Sequence, residues 1–270
     1  MDRIHLPQAR DALLLELKKI AIANPLVSGI FLGGSLAAGN ADDWSDIDLR
    51  LVTAGNTQQV TTLLSEIVNR LESEGRILFI ETYATNYTVL HFPKFVKVDL
   101  FVYSKSTLLP SPWLASINIL NDDSQNYLAK VKAIAKKLPL PIDQSLLDGY
   151  LMKYYANLHD FYRRWQRGES NYLHQDALMI KHCLVSLWYL KAGQLPNNLG
   201  DWSKYEGPRS RLTPKQIAAL TLFTPLAAAR IPDFIQWSIN CIAETASAIA
   251  TTHGLTFSER QHQQITELVL

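Results

Sequence analysis

The sequence predicts an α+β fold: a first half that mixes strands with helices, followed by a mostly helical C-terminal half. Three observations carry this expectation. Four strand-like apolar runs all fall before residue 104. From about Asp122 onward the apolar residues recur at helical spacing instead. LPLPID, at 138 to 143, then carries two prolines that would punctuate any helix. The boundary is therefore set at 140, giving domains 1–140 and 141–270.

The first element, Pro7 to Ala23, interrupts its apolar residues with charges at helical spacing and reads as an amphipathic helix. VSGIFLGG (27–34) and DIDLRLVT (46–53) are β-branched or alternating runs bounded by turn residues, which makes them strands. In TQQVTTLLSEIVNRLESEG, Val60, Leu63, Leu64, Ile67, Val68 and Leu71 recur three and four apart, and Gly75 stops the helix. RILFIETY (76–83) and FVKVDLFVY (95–103) are two further strands. The first half thus reads helix, strand, strand, helix, strand, strand. Beyond the boundary, helices are expected at about 143–166, 171–192, 213–224, 232–252 and 256–269. No repeat or low-complexity tract interrupts them.

Composition excludes several function classes. With 270 residues, 47% of them apolar, the chain has material for two cores. Its 26 basic and 25 acidic residues nearly cancel, so the electrostatic footprint of a polynucleotide binder is missing and no nucleic-acid partner is expected. Cys183 and Cys241 are too few for a disulfide framework, and no Cys/His spacing suits zinc. Nowhere do 18 apolar residues follow one another. A cytoplasmic protein with no membrane partner and no export signal is the expectation.

The stretch GGSLAAGNADDWSDIDL, Gly33 to Leu49, concentrates the chemistry. Side chains alternate along a strand, so Asp46 and Asp48 share one face while Ile47, Leu49 and Leu51 point to the core. Two carboxylates side by side are costly without a cation, and hard oxygen ligands at this spacing suit Mg²⁺ together with substrate phosphates. In FVKVDLFVY the same rule puts Val96, Val98, Leu100 and Val102 on one face and Lys97, Asp99, Phe101 and Tyr103 on the other. If that strand lies beside DIDLRLV, Asp99 joins the first two acids. Gly33 and Gly34 leave room for a phosphate, Ser35 adds a hydroxyl and an amide, and SLAAGN reads as a short helix whose amino end attracts anions. Taken singly, an Asp-x-Asp is often a solvated strand end and a Gly-Gly-Ser only a turn. The ordered combination is the specific signal.

Gly33, Gly34, Ser35, then Asp46 and Asp48, then Asp99 resemble the signature of the DNA polymerase beta type nucleotidyltransferase superfamily, and in particular of the small antibiotic nucleotidyltransferases. LHDFYRRWQRGESNYLHQDALMIKHCLVSLWYLKAGQ (158–194) is similar to the helical second domain of the lincosamide and aminoglycoside nucleotidyltransferases, where an Arg-Gly-Glu turn joins two long helices. The resemblance implies a mixed β-sheet flanked by helices. It further implies Mg²⁺-dependent transfer of a nucleoside monophosphate, AMP by preference, from ATP or another NTP to a hydroxyl, with release of pyrophosphate. On this chain Asp46 and Asp48 would hold the metals, and Gly34 and Ser35, after Gly33, the triphosphate. Asp99 would complete the metal site or take the hydroxyl proton. The partners implied are a nucleotide and a small-molecule acceptor, with a homodimer as the assembly common among such enzymes. A protein acceptor, or a nucleotide-binding protein without catalysis, are the rival readings.

Further candidates keep two readings each. Glu81 either faces the cleft as a base or reaches water at a strand end. Glu169, in the Arg-Gly-Glu turn, is a base or cationic-drug ligand by resemblance and a helix cap by position. Lys181 is a triphosphate contact by resemblance and otherwise a solvated helix face. Asp176 lies near the amino end of the same helix, whereas His174 and His182 have no metal-ligand partner at proper spacing and read as structural. Trp165 and Trp188 read as core, and Trp202 and Tyr205 as candidate pocket residues.

Overall fold

Val27–Leu32 (β1) and Ile47–Thr53 (β2) pair antiparallel, and their alternation sorts them onto a sheet: Ile30, Ile47, Leu49 and Leu51 are fully or almost fully buried. This is the fold of a computed structural model that describes residues 5–270. The first four residues of the segment read as free of an export signal lie outside the described residues. The chain divides into two compact units, one ending at Pro139 and one spanning Leu140–Leu270.

In the first unit, helix α1 (Leu6–Ala23) precedes β1, the short helix α2 (Gly34–Ala38) leads toward β2, and α3 (Thr57–Ser73) follows it. Asn56 opens α3 with a capping box: its side chain accepts from Gln59 N, and the Gln59 side chain returns to the Asn56 amide. Then come β3 (Phe79–Tyr83), β4 (Tyr87–His91), β5 (Lys97–Ser104), β6 (Asn118–Asn121) and helix α4 (Tyr127–Ala135). The sheet order is β3-β4-β5-β2-β1-β6. Only β2 and β5 run parallel, so the sheet is mixed. The sheet has two strands more than the four expected from sequence. β4 buries Thr88 beside Leu90, which blunts the apolar alternation, and β6 is only four residues long. RILFIETY is strand only over its second half, from Phe79.

One sheet face packs on α1 and α3 through Leu13, Leu17, Leu63, Leu64 and Ile67. On the other face Phe31 and Val52 meet Leu108, Leu114, Leu128 and Val131. Side chains of β2 alternate, so Asp48 and Arg50 share that second face with Val52.

The second unit is helical: α5 (Gln144–Arg167), α6 (Ser170–Lys191), α7 (Pro214–Thr221), α8 (Ile231–His253) and α9 (Glu259–Thr266). The expected 256–269 helix is shorter, ending in a 3-10 turn over Glu267–Val269. Asp143 caps α5 by accepting from Leu146 N, and Gly168 ends it at φ +70°. Leu147, Tyr154, Phe161, Ile180, Leu184, Phe234 and Ile242 centre its core. The molecule as a whole is an α+β protein with a helical C-terminal part. Among the described residues no helix is long and apolar enough to cross a membrane.

Candidate active site

The sequence places acids on two strands, and the register brings them together. β2 and β5 pair parallel with Asp48 opposite Asp99 and Arg50 opposite Phe101. Asp46 precedes β2 by one residue, on the same side as Asp48. The glycine turn is drawn to the same place, since Gly33 N donates to Asp48 O at 2.9 Å and so extends the β1–β2 pairing by one bond.

Gly34 follows at φ +58°, and a Cβ built on it would lie 1.7 Å from Asp48 Oδ2. The second glycine is therefore required by the carboxylate beside it as well as by the turn. In α2 the first amide to bond back is Ala37 N, to Gly33 O at 3.2 Å. The amides of Gly34, Ser35 and Leu36 precede it and have no intrahelical acceptor.

Two cations attend the three acids. Arg50 donates from Nη2 to Asp48 Oδ1 at 3.1 Å and from Nη1 to Asp99 O at 2.8 Å, and its guanidinium lies 4.1 Å from the Phe101 ring centroid. Lys97 Nζ stands 3.0 Å from Asp46 Oδ2 and 3.1 Å from Asp99 Oδ1. Its hydrogen bond to Asp99 is directed at Oδ2, at 3.3 Å, leaving Oδ1 buried with no hydrogen bond among the described residues. Burial pushes the Asp48 carboxyl above its ordinary range; Arg50 opposes this, while the charges of Asp46 and Asp99 add to it. Burial alone would lower the Lys97 ammonium, but the hydrogen bond and charge of Asp46, with those of Asp99, outweigh it and raise it. As the side chains stand, no three His, Cys, Asp or Glu among the described residues converge to hold a metal ion.

Sequence reasoning gave no role to Arg50 and Lys97. The signal was available, because each lies two residues from an acid on the same strand face. Glu81 is two strands away from β5 at the sheet edge, where its carboxylate meets His91 Nε2 at 2.8 Å.

Glu169 and Lys181 belong to the second unit. Glu169 occupies the residue before α6 but makes no cap with its side chain; it accepts from Arg164 Nη1 at 2.8 Å across the Gly168 turn. Lys181 is not on a solvated face. Its ammonium is buried and donates to Phe223 O at 2.6 Å and Thr224 Oγ1 at 2.7 Å, and burial lowers it to about 8. Asp176 is 3% exposed and its Oδ2 has no hydrogen-bond partner among the described residues. Burial, then the charge of Asp160, push it up to about 6, against the opposing pull of Arg164 and Lys153. Tyr205 is core rather than pocket wall: it is buried against His182, Tyr189 and Trp202, and its hydroxyl accepts from Asn197 N at 2.6 Å.

Comparisons with known proteins agree with this centre of gravity. The model of the nucleotidyltransferase domain family matches residues 14–164, which include the glycine turn and all three acids. No curated protein matches the chain by sequence. Among solved structures, an aminoglycoside 6-adenyltransferase from Bacillus subtilis is 10% identical, with 94% of this chain and 96% of that chain covered at a TM-score of 0.39. A nucleotidyltransferase-like protein from Exiguobacterium sibiricum is 13% identical, with 97% and 88% covered at 0.39. A STING-associated c-di-GMP synthase from Capnocytophaga granulosa is 11% identical, with 99% and 77% covered at 0.35. The domain match spans more than half of the chain, and the protein accordingly belongs to the nucleotidyltransferase domain family, as an enzyme that transfers nucleoside monophosphates.

Proposed function

We propose that the enzyme moves a nucleoside monophosphate, AMP by preference, from NTP to a hydroxyl of a small polar acceptor such as a lincosamide or aminoglycoside, with Mg²⁺ and with pyrophosphate as the second product. The observation that carries this reading is the in-register pairing of Asp48 with Asp99 on parallel strands, next to Asp46 and the Gly33-Gly34 turn.

The residues suit a divalent cation. Asp99 Oδ1 is buried without a hydrogen bond among the described residues, and the missing side chain of Gly34 lets the Asp48 carboxylate lie directly against the glycine turn. Asp46, Asp48 and Asp99 would hold the ion, which would neutralise charge on the phosphoryl oxygens of the nucleotide. The free amides of Gly34 and Ser35 would take the triphosphate oxygens. Asp99 would alternatively take the acceptor hydroxyl proton, with Glu169 as the other candidate for that role. The roles assigned to the units follow: catalysis for 1–140 and acceptor binding for 141–270. Lys181 is read as a support for the Phe223–Thr224 turn, since contact with a triphosphate would cost it two short hydrogen bonds.

The test is a panel of lincosamides, aminoglycosides and polyols incubated with each NTP and Mg²⁺, followed by mass spectrometry of the acceptor. A gain of one nucleoside monophosphate on one acceptor class supports the reading and names the substrate. Nucleotidylated protein, with no small molecule modified, would transfer the reading to a protein acceptor.

A further inference from the structure

Lys97 lies between two of the three acids. Asp46 stands just before β2 and Asp99 lies in β5, yet one ammonium lies 3.0 and 3.1 Å from their carboxylates. Asp48 is served separately by Arg50, and the two cations are held very differently. Arg50 is tethered to Asp48 Oδ1 and to the Asp99 carbonyl, with its guanidinium laid on Phe101. Phe101 is itself stacked on Tyr87 at 5.0 Å and 14°. Lys97 touches the site only through the two carboxylates, and its side chain is about one-third exposed, 34%. A lysine is a point charge on a flexible stem, so it can leave along the solvent side, whereas the planar arginine fork cannot turn without breaking its contacts.

We propose that Lys97 is an internal counter-cation of the site, which neutralises Asp46 and Asp99 until a divalent cation arrives and must withdraw for those carboxylates to hold it, while Arg50 stays on Asp48. The inference rests on the reading of these three acids as metal ligands. It accounts for two facts together: Asp48 and Asp99 share a register with Asp46 just before it, yet among the described residues the acids do not converge as a metal-binding group. Three carboxylates against two cations leave one net negative charge, and removal of the ammonium leaves three acids repelling one another. A divalent ion then replaces a monovalent one. The exchange costs free protein part of its metal affinity and favours entry of metal with nucleotide, whose phosphates add ligands and give the displaced ammonium an anion to meet.

The experiment compares wild type, Lys97→Met and Lys97→Arg in Mn²⁺ binding by calorimetry without nucleotide, and in thermal unfolding with and without Mn²⁺. Lys97→Met is expected to bind Mn²⁺ about tenfold tighter or more, and to melt lower without metal and regain the loss with it. Lys97→Arg, whose fork grips carboxylates more firmly, is expected to bind Mn²⁺ more weakly than wild type. Asp99→Asn added to Lys97→Met should cancel the gain. Equal Mn²⁺ affinity in wild type and both variants overturns the exchange while leaving the metal site standing. Mn²⁺ binding that none of the proteins shows, together with transfer activity retained by Asp46→Ala, overturns the metal-ligand reading itself.

Discussion

At Gly34, φ is +58° and an added methyl group would collide with Asp48 Oδ2 at 1.7 Å. Gly34→Ala is expected to lose about 10² or more in transfer rate and about 1–2 kcal/mol in stability, because an L-residue resists that backbone region and the carboxylate has to move. Steady-state rates and denaturant unfolding of the same preparation check both parts. At Asp48 the neighbouring Arg50 decides which substitution is informative. Asp48→Asn keeps an oxygen for the guanidinium and removes the charge that burial and the two other acids already disfavour. Transfer should fall by about 10³ with no loss of thermal stability. Near wild-type turnover in Asp48→Asn would move the phosphoryl chemistry elsewhere in the protein. For Asp99→Asn a fall of about 10² or more is expected if it acts as base or ligand.

At the scale of elements, α6 carries two buried charges of opposite sign, each held at a cost that pH exposes. Lys181 titrates near 8 in the folded protein and near 10.5 when unfolded, so between those values the unfolded chain binds more protons. Its effect on stability therefore rises with pH from about 8 to 10.5, and this rise should disappear in Lys181→Met. Asp176 is the reverse case, at about 6 folded against 3.8 unfolded. The folded state binds the extra proton, and stability falls as pH climbs from about 4 to 6. Asp176→Asn should raise the melting temperature by several degrees at pH 7, with the gain shrinking toward pH 4; an unchanged melting temperature at pH 7 would contradict the burial argument. Periodicity made the long helices legible: α5 and α6 begin and end within a residue of the ranges expected from apolar spacing. It could not reveal β6, whose four residues include the exposed Asn118, or the interior use of Lys181, since a lysine on an apolar helix reads as solvated until the Phe223 carbonyl is placed beside it. The acids were legible because strand alternation fixes the face of a side chain. The parallel register of β2 and β5 was not, because it depends on which strands become neighbours.

At the scale of the whole molecule, the two compact units are joined through an exposed stretch around Lys136, Lys137 and Leu138 that carries the prolines at 139 and 141. Brief trypsin treatment is expected to cut first after Lys136 or Lys137 and to leave two protease-resistant fragments meeting there. First cleavage inside α5 or α6 would contradict that division. The near balance of 26 basic and 25 acidic residues gives the chain little long-range steering by net charge. Whether Asp46, Asp48 and Asp99 together carry out nucleotidyl transfer is decided by pyrophosphate release from NTP and Mg²⁺ in wild type and Asp48→Asn, with and without an acceptor hydroxyl. Release is expected to require the acceptor in wild type and to be lost in the variant. Equal release from the two proteins would contradict it.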